Sequence, residues 1–156
     1  MKKLLLIVVF IIFGFANSYA QDEIRIGVNA GVPLGDADDT STFNFGADFA
    51  YLFGVAETFS VGPLVGYSHF LGDGDKVDFH FIPLAASGRF VISDAFFLGA
   101  DLGYALGADD ENDGGFFYRP KVGYDFGIIA LIASFSGIEV DEGSFNSVNL
   151  GIEFGF

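Results

Sequence analysis

A chain of 156 residues carries 7 Lys and Arg against 21 Asp and Glu, a net charge of −14 at pH 7, and contains no Cys. Acidity on this scale repels phosphate backbones and excludes nucleic acid as a partner, while the missing thiols exclude disulfides and an N-terminal lipidated Cys. Mean hydropathy is nevertheless +0.48, and no later segment reaches the ~20 apolar residues of a spanning helix, so the apolar content must be spread over short segments.

Lys2 and Lys3 precede an apolar run, Leu4 to Phe13, and then Ser18-Tyr19-Ala20 with small residues three apart. This pattern predicts a secretory signal peptide over residues 1–20, cleaved after Ala20. Losing Lys2 and Lys3 leaves 5 basic against 21 acidic residues, a charge of −16, in the 136 residues of a single domain, 21–156.

That domain parses into eight strands of period-two alternation. In Glu23–Val32, Ile24, Ile26, Val28 and Ala30 oppose Arg25, Gly27, Asn29 and Gly31; in Thr42–Phe53, Phe43, Phe45, Ala47 and Phe49 oppose Asn44, Gly46 and Asp48. Thr58–Phe70 sets Phe59, Val61, Pro63, Val65 and Tyr67 against Ser60, Gly62, Leu64, Gly66 and Ser68. Asp78–Val91 alternates less cleanly, with Ile82, Leu84, Ala86 and Phe90 outward and Ala85, Ser87 and Arg89 inward. Ala95–Leu106 sets Leu98, Ala100, Leu102 and Tyr104 against Gly99, Asp101, Gly103 and Ala105. Phe116–Phe126 sets Tyr118, Pro120, Val122 and Tyr124 against Arg119, Lys121, Gly123 and Asp125, and Ile128–Gly137 sets Leu131, Ala133 and Phe135 against Ile132, Ser134 and Ser136. The last, Ser147–Phe156, alternates without an error: Val148, Leu150, Ile152, Phe154 and Phe156 against Ser147, Asn149, Gly151, Glu153 and Gly155.

Connections are predicted long after strands one, three, five and seven, the last over Ile138–Asn146, and short after two, four and six. That asymmetry belongs to eight-stranded antiparallel up-and-down transmembrane barrels, with short periplasmic turns and longer external loops. Pro63, Pro83 and Pro120 fall inside strands, where each deletes a ladder bond, and predict bulges or strand ends. A lipocalin-type soluble cup alternates in the same way, so the contents of each face decide. One face is mostly Gly, Ala, Ser and Asn, suited to a narrow interior; the other carries Phe, Tyr, Ile, Leu and Val, which lipid solvates. Aromatics gather in two girdles, Phe53, Phe59, Phe90, Phe96, Phe126 and Phe156 at the short-turn end and Phe43, Tyr67, Tyr104 and Tyr118 at the other.

Charges at inward positions balance. Arg25, Arg89, Arg119 and Lys121 face Asp48, Asp101, Asp125 and Glu153, an expected polar plug in which burial demands pairing; a narrow channel for ions or small solutes is the alternative. The long connections carry Asp36, Asp38 and Asp39, then Asp73 and Asp75, then Asp109, Asp110, Glu111 and Asp113, then Glu139, Asp141 and Glu142. This carboxylate crown offers weak sites for divalent cations that also bridge anionic glycolipid, though the run from Asp109 lacks calcium-loop spacing. His69 and His80, with Ser68, Asp73, Asp75 and Asp78 near in sequence, are the residues from which a membrane lipid hydrolase would draw a base, for instance Asp78 with His80. Their spacing does not reproduce that of lipid A deacylases, and neither an enzyme nor a cofactor is expected.

Three short motifs carry a resemblance: Ile82-Pro83-Leu84, Gly123-Tyr124-Asp125-Phe126-Gly127 and the closing Gly-Ile-Glu-Phe-Gly-Phe. With the eight strands, they make the segment from Glu23 to Phe156 resemble the small porin-like outer-membrane β-barrels of Bacteroidetes. The resemblance implies a Gram-negative outer-membrane location; the apolar face and the acidic connections add an expected contact with outer-membrane lipid and glycolipid, and a monomer is expected. The resemblance also implies that Phe154 and Phe156 form part of the signal read by the outer-membrane assembly machinery. It carries no catalytic residues, so a structural or surface-interaction role is the expectation.

Overall fold

The computed structural model of the protein describes residues 22–109, 112–141 and 143–156. The expected signal peptide, and Asp110, Glu111 and Glu142 of the acidic connections, lie outside the described residues.

Eight strands form: β1 (Glu23–Leu34), β2 (Ser41–Ala56), β3 (Phe59–Gly72), β4 (Phe79–Val91), β5 (Phe96–Gly107), β6 (Gly115–Asp125), β7 (Ile129–Val140) and β8 (Gly143–Gly155), with one 3-10 turn at Gly35–Ala37. Each strand pairs antiparallel with its sequence neighbours, and β8 returns to β1 from Arg25↔Gly155 to Leu34↔Asn146, closing the barrel. Closure is the physical point of the architecture, because a sheet with no free edge leaves no backbone group unpaired in hydrocarbon. The alternating residues take the faces their chemistry predicts. Ile26, Val28, Leu84, Leu102, Val122, Val148 and Ile152 are exposed on the outside, and Arg25, Asn44, Ser87, Asp101, Asn149 and Glu153 are buried within. The outer rim at the short-turn end exposes Phe59, Phe90, Phe96 and Phe156, and the opposite rim Phe43, Tyr67 and Tyr104.

Two expectations are corrected. The prolines do not produce bulges: register is the same on either side of Pro63, Pro83 and Pro120, and the ladder is merely interrupted along one edge of each. One missing N–H removes one bond, and the paired residues on both sides hold the strands in line. Bulges occur instead at Ser41/Phe43 and Gly54/Ala56. The second correction concerns the seventh connection. Ile138–Asn146 is not a long loop, since β7 and β8 stay paired up to Val140↔Gly143, which leaves Glu139 on a strand. Ile138 and Phe145 turn inward and pack there, so burial outweighs the turn-forming composition of the segment.

The interior also differs from a filling of small and ionised residues alone. Phe70, Phe81, Phe117 and Ile138 are buried together at the long-connection end, with Phe79, Val140 and Phe145 packed on them. Phe145 lies 5.0–5.3 Å from the Phe81 and Phe70 rings, a spacing favoured for tilted and edge-to-face aromatic pairs. At the short-turn end Gly123 permits a close approach: a Cβ there would collide with the inward ring of Phe97.

Candidate functional site

Inside the barrel the side chains stack in layers from the short-turn end to the long-connection end. In the first layer Arg25 and Arg89 lie among Glu23, Asp125 and Glu153. Arg89 pairs with Glu153 and lies 3.7 Å from Asp125; Arg25 pairs with Glu23 and lies 3.4 Å from Asp125 and 3.6 Å from Glu153. The Arg89 guanidinium rests 3.7 Å above the Phe97 ring centroid, a cation–π contact in a desolvated place.

The second layer is a four-membered chain. Arg119 Nε donates to Asp101 at 2.7 Å and its Nη1 to Asp48 at 2.8 Å, while Lys121 Nζ donates to the other Asp101 oxygen at 2.9 Å. Asp101 is wholly buried, so two cations on one carboxylate are what its burial requires. These two layers bring together all eight inward charges named from the sequence. They add Glu23, which lies at the first residue of β1 and escapes a reading based on strand interiors.

Neutral groups follow. Asn44 Nδ2 donates to Ser68 Oγ at 3.0 Å and to the His69 carbonyl at 3.1 Å, and Asn149 Nδ2 donates to Ser136 and Ser147 hydroxyls at 3.2 and 3.0 Å. The aromatic cluster of Phe70, Phe81 and Phe117 lies above them. Two cavities of about 20 Å³ each share Asn29, Asp48 and Arg119 in their lining, one reaching the neutral groups Asn44, Ser68 and Ser136 and the other reaching Lys121 and Glu153 of the charged layers, each with room for about one water molecule.

At the long-connection mouth the acidic residues separate. Asp36, Asp113 and Asp141 line an open vestibule of about 510 Å³ floored by Phe79 and Phe145. Asp38 and Asp39 are exposed in the first connection, where Lys76 donates to the Asp39 carbonyl. Asp109 accepts the His80 N–H at 2.8 Å and Glu139 accepts the Tyr118 hydroxyl at 3.2 Å. Asp73 and Asp75 are exposed.

Strand alternation divides the residues considered for hydrolysis. Ser68 bonds to Asn44 on the lumen side, whereas His69 packs against the outward Phe45 ring at 4.8 Å and faces His80 across the β3–β4 pair, ring centroids 4.1 Å apart. A Ser–His relay is therefore not assembled there. Asp78, in the β3–β4 connection, accepts the Gly72 N–H at 2.8 Å and lies 3.0 Å from His69 Nε2. The Gly72 amide first, and His69 second, hold its carboxyl below the ordinary carboxylate range. A depressed carboxyl contributes stability above its unfolded-state pKa and loses it as pH falls through the folded one. Protection of the Gly72 amide against exchange, relative to the intrinsic rate at each pH, is thus expected to persist down through the ordinary carboxylate range and to fall only at still lower pH. A loss of protection starting near neutrality would separate the tether from Asp78.

No family model matches the chain, and no curated protein matches it. Solved structures do. The crystal structure of Ail, the attachment invasion locus protein of Yersinia pestis, is similar at 15% identity over 88% of this chain and 100% of that one, with a TM-score of 0.61. The N-terminal β-barrel domain of Pseudomonas aeruginosa OprF is similar at 16% identity, over 88% and 100% of the two chains, with a TM-score of 0.56. Neisserial surface protein A is similar at 12% identity, over 88% and 98%, with a TM-score of 0.54. The chain has the fold of the small eight-stranded transmembrane β-barrels of bacterial outer membranes.

Proposed function

We propose that the protein is an integral outer-membrane barrel whose lumen passes no solute and whose role is structural or carried by the acidic surface that its long connections present outside the cell. The observation that supports this most directly is the stack of ion-paired, hydrogen-bonded and aromatic layers across the lumen, in which two cavities of about 20 Å³ each lie beside Asp48 and Arg119. Eight strands enclose a space that side chains alone can fill. The exposed apolar belt and the fold shared with outer-membrane proteins support the location, and the three short motifs support a place among the porin-like barrels of Bacteroidetes. In this reading lipid and glycolipid contact the outer face, the assembly machinery reads the closing strand with Phe154 and Phe156, and the barrel acts as a monomer without catalysis.

Planar-bilayer recording of the refolded protein, with insertion checked by heat-shifted gel migration, tests the closed lumen. No steady conductance steps are expected. Steady steps that change in amplitude with Arg89→Ala would establish a channel and overturn the proposal.

A further inference from the structure

Outside the lumen, at the external rim, three side chains converge that neither the fold nor the proposed role explains. His69 near the end of β3 and His80 near the start of β4 are directly paired across the sheet and share its outward face. Asp78 reaches them from the connecting loop, and ligand atoms of the three residues lie within 4.8 Å of one another. Among the described residues this is the only such group.

We propose that His69, His80 and Asp78 form a binding site for a borderline divalent transition-metal ion of the zinc class. Two imidazoles and one carboxylate suit such an ion, whereas calcium and magnesium take oxygen ligands. Bonds of about 2.0–2.2 Å place tetrahedral neighbours roughly 3.5 Å apart; His69 Nε2 and Asp78 Oδ2 already lie 3.0 Å apart, and a small side-chain adjustment brings in the third ligand. The ion takes the place of the direct contact between that pair.

Each ligand is also held from behind, as metal ligands commonly are. Asp78 Oδ1 accepts the Gly72 N–H, which leaves Oδ2 turned towards His69. The Tyr67 hydroxyl lies 2.6 Å from His80 Nδ1 and orients that ring. The His80 backbone is pinned from the β5–β6 connection, its N–H donating to Asp109 at 2.8 Å and its carbonyl accepting the Ala108 N–H at 3.0 Å. Phe45 packs against His69 at 4.8 Å. A cross-strand His pair set in register by the sheet has lost most of its conformational freedom before an ion arrives. Three protein ligands leave one position open to water or to a donor from a partner, and the bound ion would clip the β3–β4 connection to the barrel rim.

Calorimetric titration of the full, detergent-folded barrel, purified without a polyhistidine tag, with ZnCl₂ and separately with CaCl₂, tests the site. One saturable zinc site per chain is expected, lost in His69→Ala and His80→Ala and weakened at least roughly ten-fold in Asp78→Asn, since weakening a ligand costs no less than removing the groups behind the ligands, which typically costs that much. Calcium is expected to produce no heat that depends on either histidine. If the alanine variants fail to fold, His69→Gln and His80→Gln keep a polar side chain of similar reach, and zinc-induced shifts of the imidazole NMR signals in the unaltered protein give a second readout. Absence of saturable zinc binding would overturn the proposal, and so would zinc binding unchanged in the double histidine variant and matched by calcium, which would place the ion on the acidic connections. Bilayer conductance and zinc binding are read separately, so failure of this site leaves the closed-lumen reading standing.

Discussion

Replacing Arg119 by Met is expected to lower the unfolding free energy of the vesicle-inserted barrel by about 3–5 kcal/mol, the range for removing one partner of a buried ion pair. Arg119 is the link that joins Asp48 to Asp101, at 2.8 and 2.7 Å. Without it Asp101 keeps Lys121, but among the described residues Asp48 keeps only the Asn29 amide as a side-chain partner, at 3.4 Å. The dominant penalty is then the stranded Asp48 carboxylate rather than the lost attraction. A second substitution, Asp48→Asn in the Arg119→Met background, removes that charge and is expected to recover part of the loss, so the two changes should be non-additive by at least about 1 kcal/mol. The chain has no Trp, so urea unfolding is best followed by far-UV circular dichroism and by gel migration. A loss below about 1 kcal/mol would mean that water reaches the pair and screens it as at an ordinary surface, and the lumen would then be open at its middle layer.

That middle layer was legible in the sequence because period two fixes which residues face inward once a strand is recognised. Asp48, Asp101, Arg119 and Lys121 each stand between two uncharged neighbours, Ala47 and Phe49, Ala100 and Leu102, Tyr118 and Pro120, and Pro120 and Val122, so the parity of each strand places its charges on one face. The aromatic layer was not legible in the same way. Phe116 and Phe117 are adjacent, as are Phe96 and Phe97, and where two like residues are consecutive the alternation has no chemical contrast to report. Parity carried back from Tyr118 and Leu98 turns Phe117 and Phe97 inward, as their burial shows, but it does not show that Phe117 meets Phe70 and Phe81 from other strands in one layer. The β7–β8 hairpin was hidden for a related reason: Gly137 and the acids from Glu139 to Glu142 look like loop composition, while the burial of Ile138 and Phe145 that holds the strands together is a tertiary effect. The facing of His69 and His80 depends on the register across the β3–β4 connection, a quantity set by the whole ladder from Phe59↔Phe90 to Phe70↔Phe79 and not by either histidine's neighbours.

Parity makes its largest physical claim on the outside of the barrel, where Leu150 is the sharpest probe. It lies on β8 between Ala133 of β7 and Ala30 of β1 and is 71% exposed, so nothing in the protein shields it. Leu150→Arg is therefore expected to leave every internal contact intact and still reduce stability in phospholipid vesicles by about 2–4 kcal/mol, the penalty for a cation at the bilayer midplane. Val91→Arg, at the short-turn end of β4, is expected to lose only about 0–1 kcal/mol, because near the interface the side chain reaches water and headgroups. The gradient between the two carries the test. Packing loss cannot generate it, since both side chains are exposed, and a barrel with its outer face in water would show neither penalty. Equal, small effects at the two positions, measured together with solubility in the absence of detergent, would mean that the Val, Leu, Ile and Phe belt is covered by something other than hydrocarbon.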